Sequence, residues 1–228
     1  MMRLYRGICV PSAEADFIIS DHRTNGIYNH SKANYEMRQA RPRNTIQLDA
    51  NNLPNTSDTR EDVEITDAIC ASGDGAGALY YACKHNQYQN HDTPLLIELD
   101  VEISRLAVDA KDFLYTMFQF ADPIVARPIL EKCFGKRVLD YANLAWECSD
   151  QSNRIALCDM AIFDQKVIKS HHANKLVIQG RYNTLFRSAF TISMPILPAE
   201  IISITKPEKH TPLPKPFVRI QDIMAAKN

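Results

Sequence analysis

The sequence contains no CxxC pair. Its six cysteines, at positions 9, 70, 83, 133, 148 and 158, are spread singly. That spacing excludes a zinc ribbon and a tight disulfide scaffold, and leaves buried thiols in a reducing compartment as the expectation. Long apolar runs are missing too: none approaches the roughly 18 residues a membrane span requires. The opening MMRLYRGICVPSAEADF carries Arg3 and Arg6 but no apolar core of about 7–15 residues, so no signal peptide is expected. Neither sign of charge dominates, with 26 Lys+Arg against 27 Asp+Glu and a net charge of −1. A global pull toward nucleic acid or membrane is thereby excluded, local patches aside. No internal repeat occurs, and no composition shift demands two domains. What remains is a globular composition, 45% hydrophobic and 23% charged over 228 residues, suited to one intracellular α+β domain.

Read along the chain, Arg3 to Cys9 is a strand candidate that Pro11 and Ser12 break. Ser12-Ala-Glu-Ala-Asp-Phe-Ile-Ile then reads as a short helix with Ser12 as its N-cap and acids in the first turn. Residues 21–67 form a polar loop region rich in Asn, Asp, Arg and Thr, with a basic cluster at Arg38, Arg41 and Arg43. A polar stretch of that length reads as a covering loop, and the cluster as a solvated face or a phosphate contact. Ile69-Cys-Ala is a brief strand, Ser72-Gly-Asp-Gly-Ala-Gly a tight turn, and Ala76, Leu79, Tyr80 and Cys83 keep the spacing of a helix face. Pro94 to Ile103 is the clearest strand, with Leu96, Ile97, Leu99 and Val101 as its buried set.

A helical insertion is expected over residues 105–150. Arg154 to Ile168 fits strand or helix, with helix the preferred reading. His171-His172 reads as a solvated loop, because adjacent histidines diverge on any regular element. Leu176-Val-Ile-Gln, Ala189-Phe-Thr-Ile-Ser and Glu200-Ile-Ile-Ser-Ile are short β candidates. The domain is bounded at 1–206. A Pro-rich tail at 207–228 follows, closing in a small helix from Phe217 to Ala226.

The glycine-rich SGDGAG at 72–77 is neither a Walker loop nor a Rossmann fingerprint. Ala78-Leu79 stands where a phosphate loop needs Lys-Ser or Lys-Thr, and the glycines sit at 73, 75 and 77. The order of pieces is more informative. A Tyr-Arg-Gly ends an N-terminal strand. A short strand ends in Ala71-Ser72 and precedes a helix with Tyr80 and Tyr81, a buried strand follows, and Pro195-Ile-Leu-Pro-Ala-Glu-Ile-Ile leads into a late strand.

Together LYRG at 4–7, ICASGDGAGALYYA at 69–82, LLIELDV at 95–101 and MPILPAEIISI at 194–204 resemble the ADP-ribosyltransferase fold, in its mono-ADP-ribosyltransferase toxin-like branch. The resemblance implies an α+β fold with a split β-sheet around a central cleft. It also implies transfer of ADP-ribose from nicotinamide adenine dinucleotide (NAD), the substrate, to a protein or nucleic acid, without a metal. By resemblance, Arg6 anchors the dinucleotide and Gly7 permits close backbone approach. Ser72 and Gly73 complete the phosphate and ribose side, and Tyr81 stacks on the nicotinamide, with Tyr80 the less favoured choice. Such domains act as toxins or effectors, which implies a neutralising antitoxin or a host target. The place of action is the cytoplasm, or a host cell reached by a route that needs no signal.

One departure stands out. The family has a Glu at the start of the penultimate strand, whereas Leu185-Phe-Arg-Ser-Ala-Phe-Thr-Ile contains no acid. Glu147, beside the only tryptophan, is the catalytic candidate in its place, since a carboxylate against an indole has a raised pKa. Glu200 suits the structural Pro-Ala-Glu-Ile turn better. Arg181 and Arg187 keep a nucleic-acid acceptor open. The alternatives are an NAD glycohydrolase, in which water replaces the acceptor, and a catalytically silent module that binds nucleic acid or protein.

Overall fold

The computed structural model describes residues 1–27, 68–85, 92–174, 177–179, 185–187, 189–207 and 217–219. The basic cluster at Arg38, Arg41 and Arg43 and Arg181 lie outside these residues, as does most of the polar loop region and of the tail. The architecture is α+β. Its elements run β1 (Met2–Pro11), α1 (Ala15–Asn25), β2 (Ala68–Ser72), α2 (Gly75–His85), β3 (Asp92–Val101) and β4 (Leu106–Val108). Five helices follow: α3 (Lys111–Gln119), α4 (Pro123–Phe134), α5 (Arg137–Glu147), α6 (Gln151–Phe163) and α7 (Gln165–Ala173). The chain then returns through β5 (Val177–Gln179), β6 (Leu185–Arg187), β7 (Ala189–Ser193), β8 (Ile201–Thr205) and β9 (Phe217–Arg219).

An antiparallel sheet of six strands, in the order β4-β7-β2-β1-β3-β8, organises the domain, and β6-β5-β9 form a smaller sheet. β1 and β3 are in register over the whole of β1, from Met2↔Val101 to Pro11↔Asp92. β2 and β7 pair from Ala68↔Ser193 to Ser72↔Ala189. Between these halves, β1 and β2 share the single pair Tyr5↔Ser72. The sheet is therefore two three-stranded halves, β8-β3-β1 and β2-β7-β4, hinged at one rung.

Period-2 alternation fixes the faces of the first half. Met2, Leu4, Ile8 and Val10 join the main apolar core together with Leu95, Ile97, Leu99 and Val101 of β3. Leu96, expected among the buried set, is half-buried on the opposite face with Glu98 and Asp100. On that face Arg3 pairs with Glu98, and α2 packs across β1 and β3.

Several local expectations are corrected. Ser12 does not cap α1; Glu14 holds the cap position, and the Ser12 hydroxyl instead shares a 2.7 Å hydrogen bond with Thr93. Helices run on to Ala173, so Arg154 to Ile168 is helical and the helical stretch outlasts the expected 105–150. Phe217–Arg219 is a strand that pairs in parallel with β5, so the expected closing helix does not begin there. His171-His172 lies on α7, not in a loop. The two rings do diverge: His172 Nε2 lies 2.7 Å from the Arg3 carbonyl, while His171 is 1% exposed, stacked on Phe134 and edge-on to Phe190.

That placement has a pH consequence. Burial pushes the His171 imidazole down to about 4, against the nearby Cys133 and Ala189 carbonyls and with a smaller push from His172. The native state keeps it neutral where the unfolded chain, with an ordinary histidine near 6.5, takes up a proton. Stability is therefore fully present above pH 6.5 and falls as pH drops toward 4, by about 3 kcal/mol for this residue. Melting temperatures recorded across that window should decline for the wild type. His171→Phe, which keeps an aromatic ring between Phe134 and Phe190, should flatten much of the slope. An unchanged slope would show that another group carries it.

Candidate functional site

The site lies where the two sheet halves part. On the apolar face of β1 the sequence Met2, Leu4, Arg6, Ile8, Val10 places one cation among core positions, directly opposite the fully buried Ile97. Beyond the Tyr5↔Ser72 rung the strands share no further register, and Arg6 spans the gap: its Nη1 donates 2.8 Å to the Cys70 carbonyl. Among the described residues no carboxylate pairs with Arg6, and this is its one side-chain hydrogen bond. Desolvation by burial lowers its pKa, opposed by the Cys70 thiol, yet a guanidinium remains charged at any working pH. A desolvated fork of five N–H donors with one partner is poised for an anion.

Two neighbours complete the electrostatics, and sequence reasoning singled out neither. His22 comes from α1, whose end is tied down by a two-residue bridge between Ile27 and Ile196. Burial lowers the pKa of His22; Asp21 opposes this and the Arg6 charge adds to it. Its Nδ1 is buried without a hydrogen-bond partner among the described residues. The pairing of His22 with Arg6 depends on a helix folding back over a strand, and no spacing rule reports that. Asp109, just past β4, is 7% exposed and hydrogen-bonds the Cys70 thiol, whose pKa is raised by burial first and by Asp109 next.

The other expected residues fall as follows. Ser72 ends β2, is 2% exposed, and its Oγ accepts from the Asp74 amide at 3.1 Å. Asp74, not Ser72, caps α2: its carboxylate oxygen accepts from the Ala76 amide, and its carbonyl accepts from the Ala78 amide. Gly73 is in the turn between them, so two of the six residues SGDGAG turn and Gly75 and Gly77 are already helical. Tyr81 lies on α2; its side chain is outside the described residues, and Tyr80 is half-buried. Gly7 is adjacent to Arg6 but on the opposite face, and the close approach it permits is made by α2, whose Ala78 carbonyl lies against it.

The two acids proposed in place of the missing Glu lie elsewhere. Glu147 is exposed at the end of α5, a helix packed among α3, α4, α6 and α7. Glu200 is bound into the turn before β8. It pairs with Arg105 and accepts the Leu197 amide at 2.7 Å, and Arg105 also donates to the Ser193 and Pro195 carbonyls. That is a structural clamp, in keeping with the turn reading. Among the described residues no group of three or more His, Cys, Asp or Glu is placed to hold a metal ion. No described helix is long and apolar enough to cross a membrane. Compared with protein-family models, with curated proteins and with solved structures, the chain matches none.

Proposed function

We propose that the chain is a mono-ADP-ribosyltransferase, which cleaves NAD at the ribosyl–nicotinamide bond and transfers ADP-ribose to a protein or nucleic-acid acceptor. The observation that carries the reading is Arg6, a cation on an apolar face at the parting of a split sheet, with no carboxylate partner among the described residues. Leaving a buried charge without a counter-ion costs several kcal/mol, and an anionic ligand offsets that cost. A pyrophosphate suits the guanidinium fork, since each charge-assisted hydrogen bond contributes about 1.5–3 kcal/mol. Ser72, one rung away on β2, is near enough in the sheet to orient the ribose.

Cleavage passes through a state with positive charge on the ribose, so cations near the reacting carbon are unfavourable. A neutral His22 fits that need, because burial and Arg6 both hold its proton affinity down. Tyr81 supplies the ring contact for nicotinamide. The same chemistry serves a toxin or effector with a neutralising partner or a host target, and the missing acid on β7 favours an acceptor other than a protein arginine.

Incubation of the pure chain with labelled dinucleotide, alone and with lysate, tests the reading. Label in a macromolecule that nuclease or protease removes identifies transfer and the acceptor class. Free ADP-ribose alone would make the chain a glycohydrolase. No turnover in either condition would overturn the enzymatic reading and leave a binding module.

A further inference from the structure

Transfer from NAD needs a carboxylate beside the ribose, to face the developing positive charge and to receive the proton of the incoming nucleophile. The start of β7 carries none in its own sequence. The neighbouring strand brings one there. β4 pairs with β7 through Leu106↔Ile192, Ala107↔Thr191 and Val108↔Phe190, and one residue further on the Asp109 amide donates 2.8 Å to the Ala189 carbonyl. Asp109 therefore sits beside the first residue of β7. Ala189 is in turn the partner of Ser72, and Ser72 the partner of Tyr5. One row thus crosses four strands, from β1 next to Arg6 to Asp109.

The side chain of Asp109 reaches back along this row. It hydrogen-bonds the Cys70 thiol, and the Cys70 carbonyl is the group that holds Arg6. Burial to 7% exposure keeps the carboxylate in a low-dielectric setting, where its field on a nearby charge is strong. The adjacent basic residue, Lys111, is engaged by Asp159. Glu200 is locked by Arg105 and Glu147 stands exposed on the helices, so neither competes for the place.

Resting on the transferase reading, we propose that Asp109 is the catalytic carboxylate, supplied from the end of β4 instead of from β7. The bond between the ribose carbon and the nicotinamide nitrogen breaks, and its electron pair leaves with nicotinamide, which departs neutral. Asp109 faces the positive charge left on the ribose. The nucleophilic atom of the acceptor, or of water, bonds to that carbon, and its proton passes to Asp109 and on to solvent.

The full chain and its Asp109→Asn and Asp109→Glu variants are compared for cleavage of labelled NAD, with thermal melting alongside. Asp109→Asn should lower kcat at least about 100-fold while KM for NAD stays within about threefold, the split that loss of a group acting on the transition state gives. Asp109→Glu keeps the charge but moves it by one methylene, and should lower kcat roughly tenfold at unchanged KM. A folded Asp109→Asn that keeps wild-type kcat overturns the assignment. If Asp109→Asn does not fold, a folded Asp109→Glu with wild-type kcat overturns it equally. A wild-type chain that cleaves no dinucleotide overturns the transferase reading itself, and the role of Asp109 with it.

Discussion

Gly7→Ala is expected to lower the melting temperature by on the order of 10 °C, or to prevent folding. A Cβ at Gly7 would stand 1.8 Å from the Ala78 carbonyl oxygen and 2.6 Å from its carbon, with Ala82 Cβ at 3.1 Å. Both of the nearest atoms belong to helix backbone, so no rotamer change relieves the overlap. Either α2 lifts off β1 and β3, or β1 bends away from a partner to which it is paired along its full length. Overpacking of that kind costs about 3 kcal/mol or more, and each kcal/mol shifts the melting point of a chain this size by roughly 2–4 °C. Gly75→Ala is the matched control. Its Cβ would meet only the Tyr5 ring, at 3.6 Å or beyond, which is ordinary contact. That variant should melt within a few degrees of wild type. A Gly7→Ala protein that melts like wild type would show that α2 does not pack against β1 in solution.

How legible this was from the sequence varied with the range of the interaction. β1, β2, β3, β7 and β8 were readable because their apolar residues alternate or run together between breakers. Arg6 was readable too, as the odd member of an apolar alternation Met2-Leu4-Arg6-Ile8-Val10 and as part of Leu4-Tyr5-Arg6-Gly7. Local polar chemistry was less so. Ser12 and Ser72 both precede helices and resemble caps, yet Glu14 and Asp74 stand at the cap positions, because each helix begins two or three residues later than composition suggests. The adjacent histidines looked like loop residues, since nothing local announces that Phe134 and Phe190 will enclose one ring.

Asp109 and His22 were illegible for a stronger reason. Their meaning arises only when β4 pairs with β7, a strand more than seventy residues later, and when α1 folds over β1. An Asp after a three-residue strand is unremarkable as sequence. Its register beside Ala189 makes it a candidate. Glu147 illustrates the converse: a carboxylate beside a tryptophan is a reasonable local signal, but here it faces solvent at a helix end.

Arg6→Met separates function from stability most sharply, and is expected to reduce NAD turnover by at least about a thousandfold while leaving the fold intact. In the wild type the guanidinium lies beside Leu4, Ile8 and Ile97 in the sheet and has a single hydrogen bond, to the Cys70 carbonyl. Losing that bond costs about 1 kcal/mol, but losing a desolvated cation without a counter-ion returns a comparable amount or more. An unbranched apolar side chain of similar length fills the same space, so Arg6→Met should melt at or slightly above wild type. Arg6→Lys should resemble Arg6→Met in turnover, since a point charge cannot make the two parallel bonds that a planar fork makes to phosphate. Calorimetric titration with NAD supplies the decisive measurement. A large loss of affinity in both variants, at unchanged melting temperature, assigns Arg6 to the ligand. Loss of stability with retained affinity would instead make Arg6 a fastener of the two sheet halves, holding β2 to β1 through Cys70, and the anion site would have to be sought elsewhere.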